Sequence, residues 1–335
     1  MTISIVTGCA GMDGSILCDK LLKKGHVVVG IDRWSPVGVS PNLKDAIKND
    51  NFTFETGDIT ETEFIRRIIM TYAPDYFYNM GAISLVPESF RIPSTVFTTN
   101  LSAVVNMLEC IRTYSPETRF YQASTSEMIG SNTSVPQNTD SLMLPNSPYA
   151  ISKLAAFHVV KMYRNAFNLF AVNGMLWNHE GPRRGPSFVT RKITLQIAKQ
   201  INGSKEPLQI GNLDMYRDWG LADEYCDAMI LMMESDVADD YAVNTGETHS
   251  IREFIEEAYK CVNINIVWKE TGKEEKGYDE YGRLLVEVND RYFRPIEVPY
   301  LKGDHTKIKE TLGWSPETKF KDLVRIMVES DLHEY

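Results

Sequence analysis

The run Gly8-Cys-Ala-Gly11-Met-Asp-Gly14 constrains this chain more than any other stretch, because it follows the apolar segment Ile3–Thr7 and leads into helix-patterned sequence. Glycines at such a junction let the backbone approach a pyrophosphate, which then sits at the positive N-terminus of the helix. A plain tight turn is the competing reading of the glycines alone. Their place directly after a first strand is the context that makes them a nucleotide-binding loop.

The rest of the first half repeats this grammar. Apolar stretches at Ile3–Thr7, Val27–Ile31, Tyr76–Met80 and Phe120–Ala123 are short and suit buried parallel strands. Between them, Ser15–Lys24, Glu61–Tyr72 and Ser94–Tyr114 carry apolar residues at helical spacing. A long helix over Pro148–Phe167 and a strand over Phe170–Met175 complete the pattern. The alternation predicts an α/β fold, a Rossmann-like doubly wound parallel sheet. After Trp177 the pattern breaks at Pro182, Gly185, Pro186, Gly203 and Pro207, and Thr271–Asp290 is charged and rich in turn residues. Residues 1–176 are therefore expected to form the dinucleotide-binding domain and 177–335 a smaller, mixed α/β substrate-binding lobe, with later strands free to return to the first sheet. An amphipathic helix is expected at Phe320–Ser330.

A net charge of −10 argues against nucleic acid or an anionic membrane as the main partner. No run approaches the roughly 18 apolar residues of a membrane span. The start Met1-Thr-Ile-Ser-Ile-Val-Thr7 lacks a basic lead and reads as a strand. The five cysteines show no C-x-x-C spacing and the histidines no metal-ligand spacing, so reduced thiols, a cytoplasmic location and no metal site are expected. Met107, Met229, Met232 and Met233 read as core.

Candidate site residues follow the strand ends. Asp32 closes the second strand, where a carboxylate accepts from the adenosine ribose hydroxyls and favours NAD; Arg33 beside it can hold a 2′-phosphate and favours NADP. Asp58, before Ile59, ends the third strand and can accept from adenine or cap the next helix. Met80, Gly81, Ala82 and Ser84 end the fourth strand, with small residues where a cofactor would pass. Tyr149 and Lys153 lie four apart and share one helix face, a pairing suited to taking a proton from a sugar hydroxyl. Thr125 and Glu127, two apart, point to one side if the backbone there is extended. A solvated loop acid is the competing reading of Glu127. Beside Tyr149, a threonine and a carboxylate suggest elimination of water rather than simple oxidation.

The chain resembles the extended short-chain dehydrogenase/reductase superfamily and, within it, the GDP-mannose 4,6-dehydratase family. The residues that carry the likeness run from Gly8–Ser15 through Tyr121–Glu127, Pro148–Lys153, Asn178–Gly185 and Phe188–Ile193 to Arg217–Gly220, Thr245–Ser250 and Arg294–Glu297. The resemblance implies that Tyr149 takes the proton of the sugar 4-hydroxyl as a hydride leaves C4. Glu127 then removes the acidified C5 hydrogen, water leaves from C6 with Thr125 and Glu127 assisting, and the hydride returns to C6. It further implies that Gly8 to Gly14 (Gly11, Met12 and Asp13 included), Arg33, Asp58, Ile59, Gly81, Ala82, Ser84, Lys153, His179 and Arg184 line an NADP cofactor. Asn178, Val189, Lys192, Arg217, Arg294 and Glu297, with Ser84, would hold a GDP-sugar substrate. A homodimer or homotetramer built on the two long helices is implied as well.

Several positions depart from the family. The basic run after the second strand is reduced to Asp32-Arg33-Trp34-Ser35, which leaves NAD open beside NADP. Leu85 stands where a histidine is usual, and Thr95 replaces a tyrosine, so a related GDP-sugar such as a GDP-heptose stays open beside GDP-mannose. A nucleotide-sugar epimerase or reductase shares the Tyr/Lys pair without needing Glu127. Ser126, where a dTDP-glucose dehydratase would carry aspartate, weighs against that assignment. A non-catalytic NAD(P)-binding protein is the remaining alternative.

Overall fold

The computed structural model describes residues 1–33, 40–293 and 300–334. In chain order its strands are β1 (Ile3–Thr7), β2 (Val27–Asp32), β3 (Phe52–Thr56), β4 (Tyr76–Asn79), β5 (Arg119–Thr125), β6 (Ala171–Leu176), β7 (Asn178–Glu180), β8 (Leu208–Ile210), β9 (Tyr216–Arg217), β10 (Trp219–Leu221), β11 (Asp240–Val243), β12 (His249–Ser250), β13 (Val267–Lys269), β14 (Lys276–Tyr278) and β15 (Leu284–Val288). Its helices are α1 (Met12–Lys23), α2 (Thr62–Tyr72), α3 (Val86–Ser89), α4 (Pro93–Phe97), α5 (Ala103–Tyr114), α6 (Pro148–Phe167), α7 (Val189–Ile201), α8 (Ala222–Glu234), α9 (Ile251–Lys260), α10 (Thr306–Leu312) and α11 (Phe320–Glu334).

Seven parallel strands form the main sheet in the order β11-β6-β5-β4-β1-β2-β3. Successive strand residues point to opposite faces, and the core divides accordingly. Val6, Tyr78 and Tyr121 join one apolar cluster with α1, α8 and α10, whereas Ile5, Phe77 and Phe120 join another with α2, α5 and α6. The expected methionines lie in these clusters, fully buried. The strand order reverses between β1 and β4, and such a switch point opens a crevice beyond the carboxyl ends of the strands. Gly8 and Gly81 face each other across it: a Cβ on Gly8, whose φ is +63°, would stand 2.9 Å from Gly81 Cα.

Beyond residue 177 the chain serves both cores. β11 pairs with β6 in the main sheet, and α8 covers that sheet's first face. The smaller sheet β13-β14-β15-β8 packs with α7, α9 and α11 around Ile197, Phe254, Leu285 and Met327. The charged segment rich in turn residues holds the antiparallel pair β14 and β15, because Leu285 and Val286 are buried on this core and the charged Glu275 is buried beside it against Arg252. Among the described residues no helix is long and apolar enough to cross a membrane.

The helix expected at Ser94–Tyr114 is interrupted by a π-helical stretch, Thr98–Ser102, between α4 and α5. The cause is Asn100, which is buried. Its side chain accepts from Ile83 N at 2.9 Å and donates to Ile83 O at 3.0 Å and to Ser152 Oγ at 3.3 Å. Turning Asn100 out of α-helical register ties the loop after β4 to the helix that carries Tyr149.

Candidate active site

Every candidate among the described residues lines one cleft of about 970 Å³ at the switch point. Arg294 and Glu297 lie outside the described residues. At the end beside the glycine loop, Gly11 precedes α1 in extended conformation and offers that helix's free amides to the cleft. A Cβ at Gly14 would sit 2.3 Å from Gly8 O, so only glycine fits that turn. Thr7 Oγ1 accepts from Gly81 N at 2.9 Å and donates to Asn79 at 2.7 Å, which fixes the opposite lip. Asp32 accepts from Ala10 N at 3.1 Å and Arg33 N at 2.8 Å, bracing the glycine loop with the carboxylate expected to meet the ribose. Asp58 accepts from Thr60 N and Oγ1 at 2.9 and 2.8 Å; it closes its own turn while lining the cleft with Ile59. Met12, Met80, Ala82 and Ser84 complete this half.

Thr125 ends β5, and the chain then enters a 3₁₀ turn, Ser126–Met128, rather than continuing extended. Thr125 Oγ1 caps that turn by accepting from Glu127 N at 3.2 Å. The turn, not strand alternation, brings Thr125 and Glu127 to the same cleft. Ser124 turns to the core side chain of Asn173 at 3.2 Å. Across from them Ser147 caps α6 by accepting from Ala150 N at 3.1 Å, and Pro148 opens the helix. This start delivers Tyr149 and, one turn later, Lys153, whose ammonium donates to Ala123 O at 2.8 Å.

Burial pushes the Tyr149 hydroxyl up to about 12; the Thr125 hydrogen bond and Arg184 oppose the rise, while the charges of Glu127 and Asp13 add to it. Burial also brings the Lys153 ammonium down to about 8. Asp13 and His179 meet at 2.8 Å, and the other ring nitrogen of His179 lies 2.7 Å from Trp177 O.

At the far end, Asn178 on β7, Val189 and Lys192 on α7, and Arg217 on β9 line the cleft. Lys192 Nζ lies 3.3 Å from the centre of the Tyr292 ring, and burial lowers its pKa. Arg217 is buried and donates to Tyr216 O at 2.8 Å. Arg184 stacks on Phe188 at 3.6 Å and pairs with Glu180 at 2.9 Å. Sequence reasoning missed Asn42, Arg183, Asn212, Met215 and Tyr292, which also line the cleft. They come from connecting segments whose local pattern carries no signal of where they fold.

The family description that matches residues 5–327 is GDP-mannose 4,6 dehydratase. The GDP-mannose 4,6 dehydratase of Homo sapiens is 40% identical, over 98% of this chain and 91% of that protein. The GDP-mannose 4,6-dehydratase of Sinorhizobium fredii is 41% identical, over 98% of this chain and 96% of that protein. Among solved structures, a UDP-glucose 4-epimerase from Thermotoga maritima superposes with a TM-score of 0.83 at 24% identity, covering 98% of both chains. A dTDP-glucose 4,6-dehydratase from Bacillus anthracis, in complex with NAD, gives 0.82 at 20% identity over 98% of this chain and 96% of that one. At those identities the two structures speak for the fold alone.

Proposed function

The chain belongs to the GDP-mannose 4,6-dehydratase family, and from that premise we propose that its cleft converts GDP-mannose to GDP-4-keto-6-deoxymannose. The observation that carries the reading is the convergence of Tyr149, Thr125 and Glu127 on one cleft, with Glu127 close enough for its charge to act on the Tyr149 hydroxyl. Tyr149 takes the proton of the 4-hydroxyl. The resulting 4-ketone acidifies C5–H, and Glu127 removes that proton and delivers one to the C6 hydroxyl as it leaves as water. Thr125, already bonded to Glu127 N, orients both groups. C6 gains a hydride and C5 a proton, so the sum is loss of one water.

The glycine loop, the Gly8/Gly81 approach and the N-terminus of α1 fit a nicotinamide dinucleotide, which supplies the hydride acceptor and donor when bound. Asp32 supports NAD over the NADP implied by the resemblance. Its carboxylate stands in the cleft at the end of β2, held by Ala10 N, and a 2′-phosphate would meet it as a like charge, whereas a ribose diol donates to it. Residues 1–176 with β11 would hold the cofactor, and the smaller sheet with α7 and α9 the GDP portion. Ile151 and Met162, exposed on one side of α6, support pairing of two copies through that helix. The test is incubation with GDP-mannose: a 4-keto product lighter by one water supports the reading, and a C4 epimer or net cofactor reduction refutes it.

A further inference from the structure

His179 is placed so that both of its ring nitrogens must donate. Nδ1 faces Trp177 O at 2.7 Å, and a carbonyl oxygen only accepts. Nε2 faces an Asp13 carboxylate oxygen at 2.8 Å, which accepts as long as Asp13 is ionised. The ring is 9% exposed and stacks on Tyr225 at 4.8 Å, so water does not substitute for either partner. Burial alone would favour the neutral ring, but Asp13 outweighs it and raises the His179 pKa, while His179 and Arg184 in turn lower that of Asp13.

We propose that His179 is a positioning residue held as an imidazolium, which locks the glycine loop to β7 and neutralises the Asp13 carboxylate beside the catalytic tyrosine. The groups facing the pair are Arg184 from the loop after β7, itself paired to Glu180, Tyr121 from β5, Tyr149 from α6, and Tyr225 and Cys226 from α8. Tyr149 feels Asp13, Glu127 and Arg184, with Thr125 hydrogen-bonded to it. Of these, Asp13 and Glu127 oppose ionisation of the tyrosine. Glu127 is needed for elimination, whereas Asp13 has no proton to move. A cation paired to Asp13 removes the unwanted half of that field without touching Glu127. The charge state of His179 stands on geometry alone; its effect on Tyr149 rests on the dehydratase reading.

Two measurements separate these layers. In nitrogen NMR of the wild-type protein labelled at histidine, His179 should remain predominantly doubly protonated at about pH 7.5, where an ordinary histidine is about one-tenth protonated. A resonance that titrates near 6.5 would overturn the proposal, whatever the enzyme's activity. In pH–rate profiles, His179→Gln should move the rising limb up by about one pH unit, a tenfold loss on that limb, whereas Asp13→Asn, which removes the carboxylate and with it the charge on the ring, should leave the limb near its wild-type position. The double variant should return toward the wild-type position. Equal shifts in the same direction for both single variants, at unchanged thermal midpoint, would leave the pair a structural tie only and overturn its catalytic role.

Discussion

Lys153 donates a 2.8 Å hydrogen bond to the carbonyl oxygen of Ala123, and this contact ties the helix that carries Tyr149 to the strand that ends in Thr125. It is made by a charged group without a carboxylate partner at the contact. The ammonium therefore falls from its ordinary value of 10.5 to about 8 through burial.

That depression has a stability consequence of definite sign. Between about pH 8 and 10.5 the folded protein binds fewer protons at Lys153 than the unfolded chain, so the residue's penalty is full below 8 and fades as pH rises through that window. The charged form costs on the order of 3 kcal/mol, against about 1 kcal/mol for the bond to Ala123. Lys153→Met should therefore raise the thermal midpoint of the cofactor-free protein at pH 7 while abolishing turnover, and the stability gain should close toward pH 10. A midpoint below wild type at pH 7 would show that the lysine stabilises rather than strains the fold.

Glu127→Gln separates the two halves of the reaction. General acid–base groups contribute on the order of 10²–10⁴ in rate, so turnover should fall by about a thousandfold. Cofactor affinity and the thermal midpoint should stay near wild type, because glutamine keeps the size and shape of the side chain and loses only its charge and its proton-transfer capacity. Near-native turnover in the variant would sink the C5 chemistry assigned to Glu127.

The proposed preference for NAD rests on Asp32. Isothermal titration should show NAD binding at least about tenfold tighter than NADP, because a phosphate beside a carboxylate loses on the order of 1–4 kcal/mol at short range. Asp32→Ser should narrow or reverse that ratio. NADP tighter than NAD in the wild-type protein would assign the decisive contact to Arg33 instead.

Gly14→Ala tests the cradle itself. The added Cβ would meet Gly8 O at 2.3 Å, closer than real Cβ atoms stand to a carbonyl. Either the loop shifts or the helix does, so cofactor affinity should drop by more than about tenfold with a stability loss of 1–3 kcal/mol. Wild-type affinity would mean the dinucleotide does not rest on this turn.

Much of this arrangement is legible in the sequence, and the exceptions share a cause. The strands β1, β2, β4, β5 and β6 are short, largely buried runs whose apolar pattern is plain, whereas the edge strand β3 is half-exposed and β11 is a four-residue run that no local pattern marks. α6 is bounded as expected because Ser147 and Pro148 start it and Asn168 ends it with φ +55°. The π stretch at Thr98–Ser102 was not readable, since it follows from Asn100 reaching Ile83, a contact 17 residues away in the chain. The 3₁₀ turn after Thr125 was likewise hidden, although its cap is local, because Ser126-Glu127-Met128 carries no breaker. Tyr292 and Asn42 enter the cleft from connecting segments, and no periodicity announces them.

The most direct test follows the hydrogens of the sugar. GDP-mannose deuterated at C4 is turned over in ordinary water, and the unlabelled sugar in heavy water, with both products read by NMR and mass. The account predicts that the C4 deuterium is recovered at C6, that solvent deuterium enters at C5, and that one water is lost with no net change in cofactor oxidation state. A product that keeps its 6-hydroxyl, or a C4 label lost to solvent, would contradict it.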